Sequence, residues 1–220
     1  MLRDLLDALR CPHDHEESWL VAMVHHADGP RLREADLACP VCGAEFPVRG
    51  GVASFAVMDR PTLHTHEPGA TPSDDVGVLR LAAQLGVTGG MLPILLAGRC
   101  VTAGAALAAY VDVPQIWVNG APEAAERPPL LSRVEVGERL PLGVSTLTAA
   151  AVDAAHATPA LLAGLVRAVR QGGRIVAPAG TEYPAGVREL ARDDREWVAE
   201  VTASASGLVE LRRRAPDQVG

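Results

Sequence analysis

The 220-residue chain predicts an α/β fold, a largely parallel sheet closed by a terminal antiparallel hairpin and preceded by a small β module. Three observations predict it. From residue 76 onward, apolar runs of strand length alternate with helical periodicity, the pattern of parallel strands joined by crossover helices. Two apolar stretches near the C-terminus stand close together, as a hairpin requires. Ahead of residue 58, short strand patterns surround CPVCG at residues 39–43, whose two thiols have metal-knuckle spacing.

The front module spans residues 1–58. In LRDLLDAL, residues 2–9, Leu2, Leu5, Leu6 and Leu9 recur at helical spacing and predict a short amphipathic helix. SWLVAMVHH and RLREADLACP follow as strand patterns, and FPVRGGVASFAV is a third, broken by Gly50-Gly51. A module this small has a marginal core and gains from a bound metal. Residues 59–75, with three prolines and no periodicity, read as a linker in which His64 and His66 are solvated.

The second domain spans residues 76–214. VGVLRLAAQLG is helical, with Gly86 as its stop, and MLPILLAG is a strand whose first residues Pro93 keeps from a central position. TAGAALAAY is a helix, PQIWVNG a strand, LLSRVEVGERLPL a strand and loop, and TLTAAAVD a strand. In ATPALLAGLVRAVRQGG, Thr158 suits the N-cap and Pro159 the first helical position. Leu161, Leu162, Leu165, Val166 and Val169 form its buried stripe; Arg167 and Arg170 complement the dipole, and Gly172 closes the helix. RIVAPAG is a buried strand, and REWVAEVTA pairs with GLVELRRR as the terminal hairpin.

Charge narrows the function. The net charge is -7 and all 20 basic residues are arginine, so the chain as a whole repels phosphate and nucleic acid is not an expected partner. The run Arg212–Arg214 reads as a solvated edge. No apolar run is long enough for a membrane span, no signal peptide is evident, and a CxxC pair suits a reducing compartment, so a cytoplasmic location is expected.

Cys39 and Cys42 supply two thiolates and Cys11, 28 residues earlier, a third. The fourth ligand comes from Asp14, His13 or His15; Asp14 has the knuckle spacing and His15 the better donor and longer reach. Four protein ligands leave no open position, so such a site is structural.

LLDALRCP and LACPVCGAEFPVRGGVASF resemble the small zinc-ribbon family of the methyltransferase activator subunit and its bacterial relatives. The likeness covers residues 2–57 and implies a zinc ribbon; Asp14 stands where that pattern has its second cysteine. ERLPLGVSTLTAAAVDAAHATPALLAGLVRAVRQGGRIVAPAG resembles the second half of class I S-adenosylmethionine-dependent methyltransferases, on Leu140-Pro141-Leu142 and on Gly172-Gly173 before a strand. The resemblance implies a Rossmann-like methyltransferase-type sheet and places the cofactor against Gly98, Asn119 and Glu138.

At those positions the pattern is worn. Arg99 to Thr102 fill the glycine loop after Gly98, and Asn119 stands where a carboxylate holds the ribose. Asp153 and His156 follow the fourth strand as a helix cap and a loop residue, and no residue is assigned to catalysis. The expectation is a non-catalytic, methyltransferase-like scaffold with a structural zinc ribbon and a protein partner. The alternative is an active methyltransferase with an atypical pocket. A scaffold of this kind is expected to lose no stability on Asn119→Ala.

Overall fold

The computed structural model describes residues 1–56, 75–120 and 128–202. The linker with His64 and His66, the GLVELRRR stretch and Arg212–Arg214 lie outside these residues.

The front module opens with a 3-10 turn, Arg3–Asp7, shorter and tighter than the predicted helix, with Leu5 buried beneath it. Strands β1 (Val21–Asp28), β2 (Arg31–Ala38), β3 (Glu45–Arg49) and β4 (Val52–Ser54) follow as an antiparallel meander. Gly50 and Gly51, both at positive φ (55° and 77°), make the two-residue turn between β3 and β4, which most side chains would strain.

The second half contains α1 (Asp75–Leu85), β5 (Ile94–Ala97), a 3-10 turn (Gly98–Ala103) running into the short α2 (Gly104–Leu107), and β6 (Gln115–Val118). Then come β7 (Leu131–Glu135), β8 (Leu147–Val152), α3 (Pro159–Ala168), β9 (Val169–Pro178), β10 (Val187–Arg192) and β11 (Glu196–Val201). Every residue of β5, β6 and β8 is buried, and apart from Gln115 and Thr148 they are apolar, as expected for strands covered on both faces.

All strands join one sheet in the order β1-β2-β3-β4-β7-β6-β5-β8-β9-β11-β10. The front meander joins the rest through a parallel pair, with Val52, Ala53 and Ser54 of β4 opposite Arg133, Val134 and Glu135 of β7. From β7 to β9 neighbours are parallel, and β11 runs antiparallel to both β9 and β10. This is the Rossmann-like, mostly parallel sheet with a terminal antiparallel hairpin that the methyltransferase resemblance implies. One core cluster runs from Leu5, Leu37 and Phe46 of the front module to Val152, Leu162 and Trp197 of the second half. The opposite face packs α1 and α2 through Val78, Leu85, Leu107 and Trp117.

The described hairpin is β10 with β11, where Asp193 accepts the amides of Arg195 and Glu196 and fixes the turn; the expected pairing of REWVAEVTA with GLVELRRR falls outside the described residues. Two expectations need correction. Helix α3 has its Thr158 cap, but it stops at Ala168 rather than at Gly172. Val169 pairs with Leu147, and the register jumps to Arg174 opposite Ala149, so Gly172 and Gly173 lie in a bulge of β9. The predicted helix TAGAALAAY is reduced to the 3-10 turn and one turn of α-helix.

Candidate functional site

The metal candidates converge. The segment after Cys11 folds back when the Cys11 amide donates to the Ser18 carbonyl (3.0 Å), which closes a loop over residues 12–17. Opposite, the Cys39 amide donates to Ala44 (2.8 Å) and the Gly43 amide to Cys39 (2.9 Å), with Gly43 at φ 71° turning the knuckle. The Cys11, Cys39 and Cys42 sulfurs and one His15 ring nitrogen all lie within 4.8 Å of one another.

The spacing fits a tetrahedral ion. Ligand bonds of ordinary zinc length place two sulfurs about 3.8 Å apart and a sulfur and a nitrogen about 3.5 Å apart. Here Cys11 Sγ and Cys42 Sγ are 3.8 Å apart, and His15 Nε2 is 3.2 Å from Cys11 Sγ and 3.4 Å from Cys39 Sγ. His15 Nδ1 lies 2.6 Å from the Glu16 carbonyl, a bond that requires its proton and leaves the Nε2 lone pair for the metal.

Asp14 takes no part: its side chain is 94% exposed, with Oδ1 3.5 Å from Arg139 Nη1. His13 sits at the margin, with Nδ1 3.5 Å from Cys42 Sγ and its ring edge-on to Phe46. Burial works against charge on Cys39, yet the Cys42 and Val41 amides, with the neighbouring thiols, bring it down to about 6. Burial pushes Cys11 up to about 12 despite the His13 amide. Three thiols and an imidazole nitrogen are the donor set that a thiophilic cation takes up.

The cofactor candidates lie at the C-terminal ends of β5, β6 and β7. Gly98, at φ 58°, is buried, and a Cβ placed on it would stand 2.2 Å from Asp153 Oδ2. Asp153 reaches across from the end of β8 to accept the Arg99 amide (2.8 Å), the His156 amide (3.2 Å) and a hydrogen bond from His156 Nδ1 (2.7 Å). Burial opposes the charge on Asp153, but these donors hold its carboxyl below the usual range. His156 is fully buried, and its Nε2 has no hydrogen-bond partner among the described residues. Gly120 also closes on this loop, since a Cβ there would lie 3.0 Å from the Gly98 carbonyl.

Asn119 is committed elsewhere. Its Oδ1 accepts the Val136 amide (2.8 Å) and its Nδ2 donates to the Val136 carbonyl (2.9 Å). The side chain thus copies a strand partner and pins the end of β6 beyond the end of β7, with its backbone at φ 49°. Glu138 is exposed two residues further on. Burial and then the Asp153 carboxylate push the Cys100 thiol up to about 12. The loop Leu140–Leu142 is held by the front module, with Arg10 donating its amide to Pro141 and Gly143 its amide to Ala8.

No protein-family model matches this chain, and no curated protein matches it. Among solved structures it is similar to a putative sarcosine dimethylglycine methyltransferase from Galdieria sulphuraria, at 15% identity and a TM-score of 0.37 over 46% of this chain and 43% of that one. It is also similar to an S-adenosylmethionine-dependent methyltransferase from Thiobacillus denitrificans, solved with S-adenosyl-L-homocysteine, at 15% identity and 0.39 over 55% and 56%. A third is an S-adenosyl-L-methionine methyl transferase from Silicibacter pomeroyi, at 16% identity and 0.39 over 58% and 99%. The chain spans about half the length of the first two.

The fold is methyltransferase-like. Its second half carries the strand order β7-β6-β5-β8-β9-β11-β10.

In the sequence Asp153 and His156 read as a cap and a loop residue. The structure joins them as one buried pair, plugged into the turn at Gly98. The signal was their spacing of three just past a buried strand, which puts both side chains on the first turn after it.

Proposed function

We propose that this protein is a non-catalytic, methyltransferase-shaped scaffold whose front module is fixed by a structural zinc ion on Cys11, His15, Cys39 and Cys42. The observation that carries this reading is the double commitment of the cofactor edge. Asn119 spends both halves of its amide on Val136, and Asp153 occupies the space beside Gly98 that a cofactor would need. A ligand at that edge would have to break buried hydrogen bonds that nothing nearby replaces.

A scaffold acts through surfaces. Trp19, Val21 and Met23 stand exposed in alternating positions along and just before β1, the open edge of the sheet, and support a protein partner there. No described helix is long and apolar enough to cross a membrane.

The deciding experiment is calorimetric titration of full-length protein, with its zinc quantified, against S-adenosylmethionine and S-adenosylhomocysteine. Absence of binding by folded protein is the expected result. Saturable binding in the micromolar range would overturn this reading and favour a working methyltransferase that opens Asp153 and Asn119 on loading.

A further inference from the structure

A cavity of about 620 Å³ opens at the N-terminal ends of β5, β6, β7 and β8, the opposite end of the sheet from Gly98. The front module supplies one wall. Its 3-10 turn lies across the strand starts, fixed there by the Leu2 amide donating to Ser132 Oγ (3.0 Å), and Leu5 and Ile116, both buried, line the cavity together. A second wall is the segment before β5, where the Gly90 amide donates to the Asp112 carbonyl (3.3 Å) and so holds Met91 and Leu92 beside the start of β6. The cavity is therefore a product of the joined modules and of neither alone.

Two properties of the lining define what fits. The first is apolar surface: Met91, Leu92 and Leu130 are exposed large side chains, and all three gather at this one cavity. Its volume lies in the range of pockets that enclose a small organic molecule. The second is the sign of its charge. Asp4 and Asp7 on the 3-10 turn and Asp112 before β6 stand at its exposed rim, and no basic side chain is among the described lining residues. Among the described residues none of these three carboxylates makes an ion pair or a side-chain hydrogen bond. Arg10 reaches the Asp7 carbonyl, but its charge is paired with Glu17 (3.3 Å). Two of the lining hydroxyls are engaged, since Ser132 accepts the Leu2 amide and Thr146 donates to the Gly143 carbonyl. The charge offered to an incoming molecule is therefore negative, on an apolar hollow.

We propose that this cavity binds an amphiphilic organic cation, an ammonium head carried on an apolar body. The body supplies most of the affinity by taking the surface of Met91, Leu92 and Leu130 out of water. The carboxylates of Asp4, Asp7 and Asp112 select the head by sign: they attract an ammonium, repel a carboxylate and add nothing for a neutral alcohol. Met91, unbranched and flexible, lets the wall adapt to bodies of different outline. The site lies at the other end of the sheet from the cofactor edge and stands whether or not S-adenosylmethionine binds there.

The test is calorimetric titration of the full-length chain with octylammonium, octanol and octanoate at neutral pH and fixed ionic strength. The expected result is one saturable octylammonium site, about tenfold tighter than octanol, with octanoate weaker still. Asp4→Asn combined with Asp112→Asn should weaken octylammonium by about tenfold and leave octanol unchanged. Both side chains are exposed, so the double variant keeps its fold, and its thermal midpoint checks this. Glu182→Gln combined with Asp194→Asn removes the same charge from exposed positions outside the cavity and should bind as wild type does. Leu130→Gln, at a side chain 44% exposed, should weaken octylammonium and octanol alike by about fivefold. Absence of saturable binding, equal affinities for the three probes, or full octylammonium binding by the folded Asp4/Asp112 variant would each overturn the site. So would an equal loss in the Glu182/Asp194 variant, which would assign the effect to net charge, or unchanged binding by folded Leu130→Gln.

Discussion

Asn119 shows how one side chain can change the meaning of a strand end. In the sequence it stands as a weakened ribose ligand, whose removal would leave a scaffold's stability untouched. In the structure it is a buried bridge to both polar groups of Val136, so Asn119→Ala strands an amide and a carbonyl and places alanine at positive φ. A loss of about 2 kcal/mol or more is expected in urea unfolding; a variant as stable as wild type would show that the bridge is dispensable. Asp153 carries a pH dependence of definite sign. Its folded carboxyl lies below the usual value, so in the window between the two values the unfolded chain binds the proton more readily, and stability rises with pH. The contribution is complete above about pH 4 to 5 and is lost as the pH falls through the folded value. Unfolding midpoints of wild type and Asp153→Asn, both in chelator, should therefore differ at pH 7 and converge toward pH 3. A constant gap would place the effect in packing alone.

At the scale of elements, what the sequence made legible follows from periodicity. The central strands β5, β6 and β8 and the start of α3 were readable because continuous apolar runs and a Thr-Pro start have few alternative conformations. The end of α3 was not. Its apolar stripe runs on through Val169, but that residue is taken by Leu147 of β8, a pairing that no local pattern encodes. The fourth ligand was unreadable for a related reason. Knuckle spacing favours Asp14, while the bond that closes residues 12–17 onto Ser18 turns Asp14 outward and His15 inward. This gives a direct prediction. Wild type and Asp14→Ala should each purify with one zinc per chain by metal analysis, whereas His15→Ala should hold zinc more weakly by about 100-fold or more in a chelator competition. Equal affinities for His15→Ala and wild type would move the ligand to His13 or Asp14.

At the scale of the whole molecule, the Cys/His cluster and the edge at Gly98 belong to one continuous sheet. The β4–β7 pair makes the front meander part of the same sheet. Arg167 of α3 bonds Glu17 in the metal loop and the Leu142 carbonyl, and Arg139, just past β7, reaches Asp14 and the Pro12 carbonyl. The core cluster is continuous across the seam. A metal bound by the cluster would therefore tighten contacts on the loop after β7, and its removal is expected to loosen both halves together. Scanning calorimetry with and without a strong chelator should show one unfolding transition that moves to lower temperature as a unit when zinc is removed. Two transitions, with only the lower one responding to chelator, would mean that the parallel pair is too weak to couple the modules. The zinc would then stabilise the front meander alone, and the exposed edge of β1 could open without disturbing the sheet behind it.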